Sequence, residues 1–119
     1  MKKLFLSTLL ITGISLFAKA QIVDCGQAAL WVGQKLTVCG QIKSAQRDTL
    51  GKNTGMLLGI CVPYPHQPLM IIVVDQVLPT FPYDETDWIG KQVCVSGLIE
   101  VFHGNPYIKV LKRTQLIID

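Results

Sequence analysis

Four cysteines, Cys25, Cys39, Cys61 and Cys94, and two histidines, His66 and His103, are the residues of this 119-residue chain best suited to redox or metal chemistry. Their spacing argues against both. A zinc site built on cysteine uses pairs two to four residues apart, and a dithiol redox centre uses Cys-x-x-Cys. No two cysteines stand that close. An even count in a short chain that opens on an export-like segment, "MKKLFLSTLLITGISLFAKA", points instead to two disulfides, with three connectivities open. His66 and His103 fall in Pro- and Gly-rich stretches and read as exposed loop residues rather than ligands. Phosphodiester chemistry would need carboxylates gathered around a divalent ion and cations for the phosphoryl charge. The only arginines are Arg47 and Arg113, and the acids cluster at Asp84, Glu85 and Asp87. No Ser-His-Asp or Cys-His arrangement is suggested by spacing. The chain is therefore expected to be non-catalytic, with no catalytic residue, no cofactor and no metal.

The first twenty residues have the form of an export signal: "MKK", then the apolar run "LFLSTLLITGISLF", then "AKA" ending at Ala20. The run is shorter than the roughly 20 residues a membrane helix needs. The expectation is a cleaved signal over 1–20, a single domain over 21–119, a periplasmic or secreted location and no membrane anchor after cleavage. Lys2, Lys3 and Lys19 account for the whole formal charge of +3, so the remainder carries as many acids as bases. Nucleic-acid affinity rests on Lys and Arg neutralising phosphates, so any such binding requires the cations to be locally clustered.

The elements that must position these residues read as short strands. Residues 22–31, "IVDCGQAALW", form a lead-in with a helical turn starting near Asp24. From Leu36, a two-residue period puts Leu36, Val38, Gly40 and Ile42 on one face and Thr37, Cys39, Gln41 and Lys43 on the other. Gly40 inside it signals a bend or a close backbone approach. "AQRDTLGKNTG" (45–55) reads as a loop, "MLLGIC" (56–61) as a strand and "VPYPHQP" (62–68) as a Pro-rich connection. "LMIIVVD" (69–75) reads as a strand buried on both faces. Pro79 and Pro82 leave room for at most a short helix near 83–89, with a solvated loop the alternative, before a strand with Val93, Val95, Gly97 and Ile99 inward. "FHGNP" (102–106) is a tight turn, "YIKVLK" (107–112) a strand and "QLIID" a short terminal one. Five main strands make an all-β sandwich or barrel. Trp31 and Trp88, each preceding a strand, are read as core packing. The phrase "WVGQKLTVCG" (31–40) returns as "WIGKQVCVSG" (88–97), while the segments that follow the two copies do not match.

"GQKLTVCGQI", "YPHQPLMIIV" and "GKQVCVSGLIEVFHGNPYIKV" together resemble a family of small exported bacterial OB-fold, nucleic-acid-binding-like domains, across about 28–117. The resemblance implies a five-stranded, partly open Greek-key barrel, to which the short N-terminal lead-in and any short helix between strands three and four would be added. Such barrels bind oligonucleotides or oligosaccharides on strands two and three, between the loops joining strands 1–2 and 4–5. It thereby implies candidate contacts at Lys43, Arg47, Lys52 and Asn53 on the first loop, at Phe102, His103, Asn105 and Tyr107 on the second, and at Tyr64 and His66 between strands two and three. First and fourth strands are neighbours in this barrel, which makes the doubled phrase a seam between them. Cys39 and Cys94 then share its outer face and pair, leaving Cys25 with Cys61. The implied partner is a single-stranded nucleic acid or an oligosaccharide; a structural or protein-interaction module of the cell envelope, docking a partner protein, is the other reading.

Overall fold

In a computed structural model, which describes residues 21–48 and 55–119, the chain is all-β. The expected signal over 1–20, and Lys52 and Asn53 of the first loop, lie outside the described residues. The strands are β1 (Ile22–Asp24), β2 (Lys35–Asp48), β3 (Gly55–Ile60), β4 (Leu69–Val74), β5 (Gln92–Leu98), β6 (Glu100–Phe102), β7 (Asn105–Val110) and β8 (Leu116–Ile118). A 3-10 helix, Cys25–Trp31, follows β1, and one turn of α-helix, α1 (Glu85–Trp88), precedes β5. The order across the sheet is β6-β7-β4-β3-β2-β5-β8, with β1 added in parallel to β2.

Two expectations are corrected here. Eight strands form rather than five, and among the described residues no ladder returns from β5 or β8 to β7, so the sheet is not closed. The extra strands have local causes. Ile99 donates its N–H to Gln34 and accepts one from Gly33, which closes the end of the β2–β5 pairing, and the chain resumes at Glu100 as β6, paired with β7. Ile22–Asp24 lies beside Thr37–Cys39, and Leu116–Ile118 beside Val93–Val95.

β2 is long enough to serve two layers. Its first half pairs antiparallel with β5 and its second half with β3, and the register shifts between Ile42 and Ser44, leaving Lys43 at a bulge. Bulges bend a strand and increase its twist, so β2 turns from one layer into the other there. Residues 45–48, expected in a loop, continue β2 because Ala45 and Arg47 pair with Leu58 and Met56. Leu36, Val38 and Ile42 of β2, Leu58 and Ile60 of β3, Val93 and Val95 of β5, and Ile108 and Val110 of β7 all face the core. One end of that core is filled by Trp88, fully buried, with its ring 5.2 Å from Phe81 and 5.1 Å from Tyr83. Trp31 is half-buried against the same core.

The doubled phrase is a local two-fold. β2 and β5 pair about Val38 and Val95, which occupy the same place in the two copies. The contacts at the two corners correspond. Gly33 N–H donates to Ile99 and Gly90 N–H to Ile42, both at 2.8 Å, and Ile99 and Ile42 donate back to Gln34 and Lys91. Gly33 and Gly90 both adopt positive φ, 90° and 95°, which favours glycine at these two corners. On the outer face the Cys39–Cys94 disulfide is the counterpart of a hydrogen bond between the Thr37 and Ser96 hydroxyls at 2.7 Å.

The second disulfide, Cys25–Cys61, ties the 3-10 helix to the end of β3. It crosses β2 at Gly40, where a Cβ would lie 2.7 Å from the Cys61 sulfur. Gly97, the counterpart of Gly40, admits Ile108 and Gln115 instead. The gap between β5 and β7 is spanned by a side chain: Gln115 Nε2 donates to Ser96 O at 2.9 Å and Lys109 O at 3.1 Å. Its Oε1 accepts from the Leu111 and Lys112 amides.

Candidate functional site

Alternation along β4 creates the site's floor. Leu69, Ile71 and Val73 enter the core, while Met70 and Ile72 turn outward and are half-buried. The expectation that this run is buried on both faces is corrected: its outer half is the base of a groove. Register then sets two rows across the sheet. Ile72 sits between Leu57 of β3 and Lys109 of β7, and Met70 between Gly59 and Tyr107. An apolar strip crossed by neighbouring strands results, about 500 Å³ in volume.

One wall is the β6–β7 hairpin. Its turn residues His103 and Gly104 both have positive φ, 51° and 79°, the signature of a two-residue turn whose twist matches the strands. The turn throws Phe102, 66% exposed, His103 and Asn105 onto the groove's edge, with the Phe102 and His103 rings 4.1 Å apart edge to face. Tyr107 lies on the groove side of β7 and donates its hydroxyl to Glu100 across the hairpin. Desolvation by burial, then the charge of Glu100 and that hydrogen bond, push the Tyr107 phenol above its ordinary range, so it remains a hydrogen-bond donor at physiological pH.

The opposite wall is the Pro-rich connection between β3 and β4. Its Tyr64–Pro65 peptide is cis. The Tyr64 amide donates to Ser44 Oγ at 3.0 Å, which anchors the segment over β2 and β3. Gly59 permits the close approach, because a Cβ there would stand 2.5 Å from Ser44 Oγ and 3.3 Å from Gln67 Cβ. Tyr64 (51% exposed) and Pro65 line the groove. Gln67 also lines it, only 8% exposed, and its buried Oε1 has no hydrogen-bond partner.

The structure thus gathers Tyr64, Phe102, His103, Asn105 and Tyr107 around one groove. It does not bring the other described candidates there. His66 is exposed on the same connection but outside the groove, its amide turned back to Pro63. Lys43 is exposed at the β2 bulge, and Arg47 points from the opposite face of β2 to Asp75 at 3.1 Å, with its amide donating to Glu85. Arg47, expected on a loop, belongs to a strand, as does Lys43. Met70, Ile72, Leu57, Gln67 and Lys109 line the site without having been singled out from sequence. The outward half of β4 could have been found from strict alternation alone, had the apolar run not concealed it. Among the described residues no three His, Cys, Asp or Glu are grouped to hold a metal ion. Asp84, Glu85 and Asp87 belong to the start of α1, where the Asp84 amide donates to the Asp87 carboxylate.

No family model matches the chain, and no curated protein matches it. Among solved structures it is similar to a putative aspartyl-tRNA synthetase from Leishmania major Friedlin, with 11% identity and a TM-score of 0.48. The match covers 86% of this chain and 21% of that one, so this chain spans about a fifth of the structure it resembles.

Proposed function

We propose that this is a non-catalytic, exported OB-fold protein that holds an extended polymer, single-stranded nucleic acid above all, in the groove across β3, β4 and β7. The strand order β7-β4-β3-β2-β5 supports an OB barrel opened between β5 and β7, with β1, β6 and β8 as additions. The two disulfides favour an oxidising compartment, and no described helix is long and apolar enough to cross a membrane.

The observation that carries the reading is the groove's composition: an apolar floor of Leu57, Met70 and Ile72 between exposed aromatic rings at Tyr64 and Phe102. Flat bases stack on such rings at about 1–3 kcal/mol each without regard to sequence. The Gln67 amide, and the Tyr107 hydroxyl oxygen as an acceptor while its proton goes to Glu100, are placed to meet base edges. Fluorescence anisotropy with labelled single-stranded DNA, RNA and an oligosaccharide, each at low and moderate salt, tests this. Single-stranded DNA and RNA are expected to bind in the micromolar range at low salt and to weaken as salt rises. Tighter binding of the oligosaccharide, indifferent to salt, would replace the nucleic acid with a glycan. Absence of binding by all three in low salt would remove the polymer-binding reading.

A further inference from the structure

The groove does not stop at β7. Lys109, which borders it beside Ile72, also borders a second, open depression of about 700 Å³ over the gap between β5 and β7. Lys35 from the start of β2 and Lys112 from the turn after β7, both exposed, line that depression together with Thr37 and Ser96.

What distinguishes these lysines is what the rest of the cations are doing. Arg47 is paired with Asp75. Lys91 lies over the Tyr83 ring at 4.3 Å, and Arg113 over the Phe81 ring at 4.1 Å while donating to Leu116 O. Lys43 stands apart at the β2 bulge. Among the described residues no ion pair engages Lys35, Lys109 or Lys112. Glu100 is the one acid lining the second depression, and its carboxylate accepts the Tyr107 hydroxyl. Apart from Lys43, the described cations that the fold leaves without a partner are therefore gathered in one place, which shares Lys109 with the aromatic groove.

We infer that the second depression is a lane for the phosphodiester backbone of the strand whose bases stack in the groove, with Lys109 at the junction and Lys35 and Lys112 beyond it. This rests on the groove reading above and extends it: outside the first twenty residues acids and bases balance, yet along the track three lysines face two acids, Asp48 in the groove and Glu100 in the depression. Base stacking then fixes one end of the strand and charge neutralisation the other. The backbone of the lane is held in place by Gln115, whose Oε1 takes the Lys112 amide and whose Nε2 takes the Lys109 carbonyl.

The test uses the purified protein and three labelled probes: a dT12 strand, a dT3 strand too short to leave the groove, and a 12-mer of abasic phosphodiester. Lys35→Gln with Lys112→Gln is expected to weaken dT12 roughly tenfold at low salt. It should also flatten the slope of log affinity against log salt by about 1.4, since each neutralised phosphate contributes about 0.7 for single strands. Binding of dT3 should not change. Phe102→Ala should weaken dT3 and dT12 and leave the abasic strand unaffected. Both lysines are exposed, and circular dichroism checks that the variants fold. Unchanged affinity and slope for dT12 in the lysine variant would overturn the lane and leave the groove standing. If dT12 binds no better than the abasic strand, and both lose affinity in the lysine variant, the lane stands and the groove reading falls. Absence of binding by every probe would overturn both.

Discussion

The side-chain amide of Gln115 donates to the carbonyl of Ser96 at 2.9 Å, and by this contact a single residue bridges β5 and β7 where no backbone ladder does. The same amide serves Lys109 O, Leu111 N and Lys112 N, so all its hydrogen-bonding capacity toward the seam is in use. Each such bond contributes about 0.5–1.5 kcal/mol net, and an orphaned partner costs more when shielded from water. Gln115→Leu is therefore expected to destabilise the protein by about 2–4 kcal/mol, read as a lower urea midpoint at constant m-value. A loss below about 0.5 kcal/mol would mean that solvent replaces the amide without penalty.

How much of this was legible beforehand differs from element to element. The two strands of the seam were legible from a local two-residue period and a doubled phrase, while their adjacency came from the resemblance to an OB barrel, in which first and fourth strands are neighbours. The aromatic residues of the 102–107 hairpin were legible from Gly and Pro punctuation. The floor of the groove was not, because "LMIIVVD" is apolar at every position and conceals which alternate residues face outward. Arg47 was misplaced because polarity suggested a loop, whereas pairing of Ala45 with Leu58 carries β2 through to Asp48. Lys35, Lys109 and Lys112 converge only through the approach of β5 and β7, a tertiary relationship that no local pattern encodes.

Gly40 is predicted to be intolerant of even a methyl group. A Cβ there meets the Cys61 sulfur at 2.7 Å and the Cys25 sulfur at 3.4 Å. Gly40→Ala should cost about 1–3 kcal/mol, as overpacking of a filled interior does. In a Cys25→Ala, Cys61→Ala background that cost should largely disappear. A double-mutant cycle in urea reads the difference, and additivity within about 0.5 kcal/mol would show that the disulfide is not what Gly40 accommodates.

Gly33 and Gly90 offer a contrasting case. No atom lies within 4 Å of the position a Cβ would take at either, but both have positive φ. Substitution by Ala therefore isolates backbone strain, worth about 1–2 kcal/mol for an L-residue in the left-handed region. The two corners are equivalent, so Gly33→Ala and Gly90→Ala should shift the urea midpoint by similar amounts and add in the double variant. A large inequality would mean that the local two-fold does not extend to the energetics of its corners.

Tyr107 predicts a limit to stability at alkaline pH. Its folded pKa is raised, by burial first and by Glu100 second. A phenol that resists ionisation in the native state stabilises that state fully below the unfolded pKa of about 10. As pH rises past that value the unfolded chain releases a proton that the folded one retains, so stability falls until the folded pKa is passed. Absorbance titration should show the Tyr107 phenol ionising at a lower pH in Glu100→Gln than in the parent protein. A titration unchanged by Glu100→Gln would assign the shift to burial alone.

Gly59 links the fold to the groove most directly. Its missing Cβ is the space through which the Tyr64–Gln67 segment reaches Ser44, with Ser44 Oγ 2.5 Å and Gln67 Cβ 3.3 Å from where that atom would be. Gly59→Ala must displace Ser44 or lift the segment, and either loosens the Tyr64 amide bond to Ser44 that sets the groove's wall. Stability is expected to fall by about 1–3 kcal/mol. Affinity for a short single strand should fall several-fold, because the Tyr64 ring and the Gln67 amide move off the position facing Phe102 and Tyr107. Anisotropy with dT3 and urea denaturation, measured on the same variant, separate the two effects. A variant that loses stability but keeps its affinity would show that the Pro-rich segment supports the sheet without forming part of the binding surface.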